Sequence, residues 1–96
     1  MSSIKNIQYY SELSGSADDS IDLAVELTDG RIFLFVAITP QHILTMMATN
    51  YKDDLEWVEQ GMLIVRRIDE ECINAALEKC LSYGIELFGV EQKEYE

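Results

Sequence analysis

Ile21-Asp22-Leu23-Ala24-Val25-Glu26-Leu27-Thr28-Asp29-Gly30-Arg31-Ile32-Phe33-Leu34-Phe35-Val36-Ala37-Ile38 is the stretch on which the fold turns. From Ile21 to Thr28 apolar and polar side chains alternate, the period of a strand with one buried face. Asp29-Gly30 then suits a two-residue type I′ turn, because Asp and Gly tolerate the positive φ angles that match strand twist. Arg31 to Ile38 returns as the partner strand. Such a turn sets Leu27 opposite Ile32, Val25 opposite Leu34, Leu23 opposite Val36 and Ile21 opposite Ile38, one aliphatic face for the core. The other face opposes Asp22, Ala24 and Glu26 to Ala37, Phe35 and Phe33, so in this register Phe33 and Phe35 need a cover.

Beyond the hairpin, Thr39-Pro40 stops the strand and starts a helix, with Thr39 as cap and Pro40 at the first helical position, where a missing N–H costs nothing. Ile43, Leu44, Met47, Ala48 and Tyr51 recur at helical spacing and predict a helix over about residues 40–50. Residues 50–61 are polar and interrupted, with Leu55 and Val58 one turn apart, and read as a loop with at most one short helical turn. Met62-Leu63-Ile64-Val65 is apolar without alternation, the pattern of a strand buried on both faces. Asp69-Glu70-Glu71 opens a second helix, a capping carboxylate followed by two acids where the helix dipole favours negative charge. Its buried stripe is Cys72, Ile73, Ala76, Leu77, Cys80 and Leu81, and Gly84 stands where a left-handed terminator is expected. Ile85 to Val90 reads as the last strand and the polar tail 91–96 as frayed. Ile4 to Tyr10 reads as an extra edge strand, although Ile4, Ile7 and Tyr10 at threes also fit a helical turn. The expected fold is a single α+β domain over residues 1–96, a mixed four- to five-stranded sheet in which a β-hairpin is followed by α-β-α-β, with parallel strands across each helical crossover.

The 96 residues include 18 Asp and Glu against 7 Lys and Arg, a net charge of −11, with 48% apolar side chains. That composition excludes disordered and fibrous classes. The charge opposes direct binding to nucleic acid or anionic lipid, whose recognition rests on Lys and Arg. The longest apolar run, Ile32 to Ile38, is far short of the roughly 20 residues a membrane-crossing helix requires. The first ten residues lack the apolar stretch of a signal peptide, which points to the cytoplasm. Cys72 and Cys80, eight positions apart in one helix, are separated by about 12 Å of rise, too far for a disulfide. They read as small core side chains.

Candidate chemistry is sparse. His42 is the single histidine and, in the first turn of its helix, reads as a surface residue rather than a catalytic base. The carboxylate pairs Asp18-Asp19 and Asp53-Asp54 lie in turn-like segments where Asp favours local hydrogen bonds, and adjacent carboxylates point apart. No nucleophile elbow, phosphate-binding glycine loop, zinc spacing or EF-hand pattern occurs, so no cofactor or metal is expected. Arg66 and Arg67 follow a strand end, where α/β sheets collect ligands, and suggest an anion site; pairing with Asp69, Glu70 and Glu71 is the competing account. Trp57, amid Asp53, Asp54, Glu56 and Glu59, has the form of an aromatic anchor in an acidic rim; the alternative is that it folds back over the sheet.

Two functional classes follow, with an Asp- or Glu-based enzyme using Arg66 ranked behind both. The first is an acidic, non-enzymatic protein-binding module of the inhibitor, antitoxin or immunity type, meeting a basic partner protein through Asp53, Asp54, Glu56, Trp57 and Glu59. The second is a homo-oligomeric regulatory or small-ligand module, a homodimer pairing through Phe33, Phe35 and Phe88.

Overall fold

The computed structural model describes residues 3–92. Alternation builds the two longest strands, β2 (Ser20–Leu27) and β3 (Ile32–Ile38), which pair antiparallel as the expected hairpin. β1 (Ile4–Tyr9), the expected edge strand, adds antiparallel to β2 with a register shift between Ile4 and Asn6. Along β3, β4 (Met62–Ile64) runs parallel beside Val36–Ile38, and β5 (Val90–Glu91) runs antiparallel beside Phe33 and Leu34. One mixed five-stranded sheet results, joined by α1 (Pro40–Ala48) and α2 (Glu70–Tyr83) into the α+β architecture that the sequence predicts.

The hairpin register is one residue away from the expected one. Leu23 lies opposite Phe35, Val25 opposite Phe33 and Ile21 opposite Ala37. Three residues, not two, make the connection: Leu27 N–H donates to Arg31 O at 2.9 Å and Gly30 N–H donates to Leu27 O at 3.0 Å. A type I′ turn demands positive φ at both central positions, but here only Gly30 takes it, at 94°, and Asp29 stays in the ordinary region. Asp29 instead accepts from Arg31 N–H and from Arg31 Nε–H. A one-residue slip turns every β3 side chain to the opposite face. Phe33, Phe35 and Ala37 therefore join Ile21, Leu23, Val25 and Leu27 in the core, while Ile32, Leu34 and Val36 are left half-buried on the other face. Two phenylalanines bury more apolar area than the Ile32 and Leu34 they displace, which favours this register.

α2 packs on the phenylalanine face. Ile73, Leu77 and Cys80 are buried there and Cys72, Ala76 and Leu81 half-buried, the predicted stripe. Asp69 caps it, accepting from Cys72 N–H at 2.8 Å, and Gly84 ends it at φ 107°. α1 begins as expected, with Thr39 as cap and Pro40 in its first turn. Its inward side differs: Leu44 is 64% exposed, no α1 residue is fully buried, and His42, Ile43, Met46 and Met47 are only half-buried. The helix is anchored at its capped end, where Thr39 Oγ accepts from both His42 N–H and Asp19 N–H.

Two other expectations are corrected. Met62–Val65 is not buried on both faces: Leu63 and Val65 point into the core, but Ile64 is 62% exposed because β4 is a short edge strand with α2 on one side only. Ile85–Val90 is not a strand. Ile85–Leu87 forms a 3₁₀ turn that buries Ile85 and exposes Leu87, and Ile85 O accepts from Phe88 and Gly89 N–H, bonds of a turn rather than of a ladder. The connection across α2 consequently joins β4 to a strand antiparallel to β3 rather than making a second parallel crossover. Residues 93–96 of the polar tail lie outside the described residues. Among the described residues no helix is long and apolar enough to cross a membrane.

Candidate partner-binding surface

The face of the sheet turned away from α2 carries Ala24, Leu34, Val36 and Val90, with the exposed carboxylate of Asp22 among them. Loop 49–61 returns beside this face. Its two aromatic rings, Tyr51 and Trp57, stack with centroids 4.8 Å apart and planes 22° from parallel. Trp57 is half-buried, and with His42 and Met46 of α1 and Val36 and Met62 of the sheet it lines a concavity of about 190 Å³. Asp22 and Glu59 sit on that concavity and on a second one that runs on over Leu34 and Val90. A third, of about 480 Å³, continues past Asp22 to Tyr10 and Gln92. Asp22 borders all three.

The predicted rim residues divide accordingly. Trp57 folds back onto Tyr51 and the sheet, and Glu59 accompanies it at the concavity. Asp53, Asp54 and Glu56 stay exposed on the loop, beside Leu55 (100% exposed) and Val58. None of these four carboxylates has an ion-pair partner among the described residues, whereas Lys5, Arg31 and Arg67 are engaged with Glu26, Asp29 and Asp69. With Lys52 its single cation, the loop thus presents an excess of negative charge next to a partly apolar hollow.

Asp18 and Asp19 point apart as expected. Asp18 Oδ1 lies 2.9 Å from His42 Nδ1, tying the turn before β2 to α1. Asp19 accepts from Ser14 Oγ–H at 2.7 Å and from Ser20 N–H at 2.8 Å, bonds that hold its carboxyl below the usual range. Arg67 is held by Asp69 at 2.7 Å and reaches Glu71 at 3.8 Å, the local pairing that competed with an anion site. Arg66 stands apart from Arg67, with Lys79 at a shallow hollow between β4 and α2. Cys72 and Cys80 are both free thiols, and burial raises the pKa of Cys80.

Phe33, Phe35 and Phe88 do not share one exposed face. Phe33 is 1% exposed and Phe35 is buried with it beneath α2, while Phe88, 40% exposed, tilts against Tyr83. The cause is the hairpin register: the slip that buries the two β3 rings removes them from any surface a second copy reaches.

Asp22, which borders all three hollows, is not among the candidate residues read from the sequence. Its signal was present: β3 is apolar at every position, so either register leaves an apolar floor on the side where Asp22 stands. Comparison with protein-family profiles, with curated proteins and with solved structures finds no significant match.

Proposed function

We propose that the protein is a small acidic, non-enzymatic binding module that associates with a basic partner protein through the 50–61 loop, in the manner of an inhibitor, antitoxin or immunity protein. One observation carries the reading. Asp53, Asp54, Glu56 and Glu59 are exposed and in no ion pair among the described residues, and outnumber the single cation of the loop, Lys52, around a tryptophan already held in place by Tyr51. A preset aromatic ring loses little side-chain freedom on binding, and surrounding carboxylates steer a cationic surface toward it. The Asp18, Asp19 and Asp69 carboxylates are occupied in joining and capping elements, which favours a structural role for them over acid–base chemistry. Free thiols suit a reducing compartment, and the cytoplasm is the location we propose.

The test is capture on immobilised protein at low and moderate salt, followed by association kinetics with the stoichiometric partner recovered. A basic partner lost as salt rises is the expected result. Its on-rate should fall by roughly tenfold or more when Asp53, Asp54 and Glu56 are all changed to Lys, with a flatter salt dependence. Unchanged on-rates would remove the loop as the binding surface.

A further inference from the structure

We infer that the open face of the sheet seats a cationic side chain from an apolar stretch of the partner polypeptide, with Asp22 and Glu59 as the charge receptors and Trp57 as the wall. The inference rests on the reading of the protein as a module for a basic partner, and adds where and by what chemistry that partner is held.

Asp22 is the starting point. It projects from β2 onto the face that also carries Ser20, Ala24 and Glu26 of that strand and Ile32, Leu34 and Val36 of β3, and its carboxylate has no hydrogen-bond or ion-pair partner among the described residues. Glu59, likewise unpartnered, borders two of the same hollows from the loop side. Covering the apolar floor expels water from around both carboxylates. An apolar occupant would leave them desolvated and uncompensated, a cost that weakens its binding. A guanidinium or ammonium removes that cost.

The walls suit the rest of such a side chain. Met46 and Met62 offer flexible, polarizable surface to an aliphatic stem. Trp57 offers an indole, the ring most attractive to a cation, in a position fixed by its stack on Tyr51. Arginine fits best, because its planar group both stacks on indole and forks onto carboxylate. A second copy of this chain fits badly: each copy carries a net charge of −11, and would bring its own Asp22 and Glu59 to the contact.

Trp57 is the single tryptophan, so its fluorescence reports on this wall directly. The probe is the blocked peptide acetyl-Leu-Arg-Leu-Arg-Leu-amide, with a neutral counterpart in which citrulline replaces both arginines at the same shape. The expected result is a saturable change in Trp57 emission with the arginine peptide, and binding at least about tenfold weaker with the citrulline peptide. Asp22→Asn and Glu59→Gln should each weaken the arginine peptide by about three- to tenfold while leaving the circular dichroism and melting of the protein unchanged. Three results would overturn the inference: no saturable change, equal affinity for the two peptides, or wild-type affinity in both variants. Equal affinity would mark the hollow as an apolar site only. If the peptide fails but a salt-sensitive basic partner is still captured, the seat is wrong and the module reading stands. If the peptide binds as stated but no basic partner is recovered, the module reading falls and the site remains.

Discussion

Tyr9 lays its ring against the core, yet its buried hydroxyl meets no hydrogen-bond partner among the described residues. Burial, and to a lesser extent the charge of Glu70, raises its pKa. A buried hydroxyl without a partner forfeits its hydration, so Tyr9→Phe should stabilise the protein by about 1 kcal/mol in urea unfolding. A loss of similar size would show that the hydroxyl is bonded after all. Phe33 argues in the opposite direction. It is among the largest side chains fully buried, so Phe33→Ala should cost about 3–5 kcal/mol, a large share of the roughly 5–15 kcal/mol by which such domains are stable. Phe33→Asp should leave no folded protein, whereas soluble, folded material of unchanged secondary structure would return that ring to the surface. The aromatic character of both residues is plain in the chain, but which way each ring points is a property of the pairing around it.

At the scale of elements, the caps were the most legible feature. Thr39 and Asp69 each precede a helix and accept from the backbone N–H of the third residue beyond, His42 and Cys72. These bonds are local, within four residues, and chain spacing alone predicts them. For Asp69 the Cys72 N–H, followed by the Arg67 guanidinium, lowers the carboxyl pKa to about 2. A folded-state pKa below the unfolded value of about 3.9 means a contribution fully present above pH 4 and lost as pH falls through about 2. Asp69→Asn keeps a capping oxygen but cannot titrate, so its melting temperature should fall less than that of the parent between pH 4 and pH 2. Parallel acid profiles for the two proteins would show that Asp69 is not the titrating cap. The last predicted strand failed for the converse reason. The Ile85–Val90 pattern is too short to separate a strand from a 3₁₀ turn, and the outcome depended on what Gly84 and the neighbouring Phe33 and Leu34 backbone made available.

For the whole molecule, charge dominates. Eighteen acidic side chains against seven basic ones leave an excess of like charge that repels itself in the folded state, and the ion pairs among the described residues, such as Lys5 with Glu26 at 3.7 Å and Arg31 with Asp29 at 2.9 Å, are solvent-accessible. Exposed pairs contribute little, so net repulsion should outweigh them. Adding sodium chloride from low ionic strength toward about 0.15 M, where the screening length is near 8 Å, should therefore raise the melting temperature. A fall would show that attractive pairs outweigh the excess. The same repulsion, with Phe33 and Phe35 inside, should give a light-scattering mass near the 11.0 kDa of one chain.

Periodicity, nearby hydrogen bonds and a count of ionisable groups were enough to read the α+β class, the hairpin, both helix caps, the α2 core stripe and the net negative charge from the chain. The tertiary structure decided what depends on competition between distant segments. A three-residue connection in place of a two-residue one sent Phe33 and Phe35 into the core. The stack of Trp57 on Tyr51 turned a rim tryptophan into a wall. The same register left Leu34 and Val36 around Asp22, joining a strand residue and a loop residue 37 positions apart, Asp22 and Glu59, at one surface. Burial of two aromatic rings is worth more than the turn preference of one dipeptide, and that difference in magnitude is why local reading chose the wrong face.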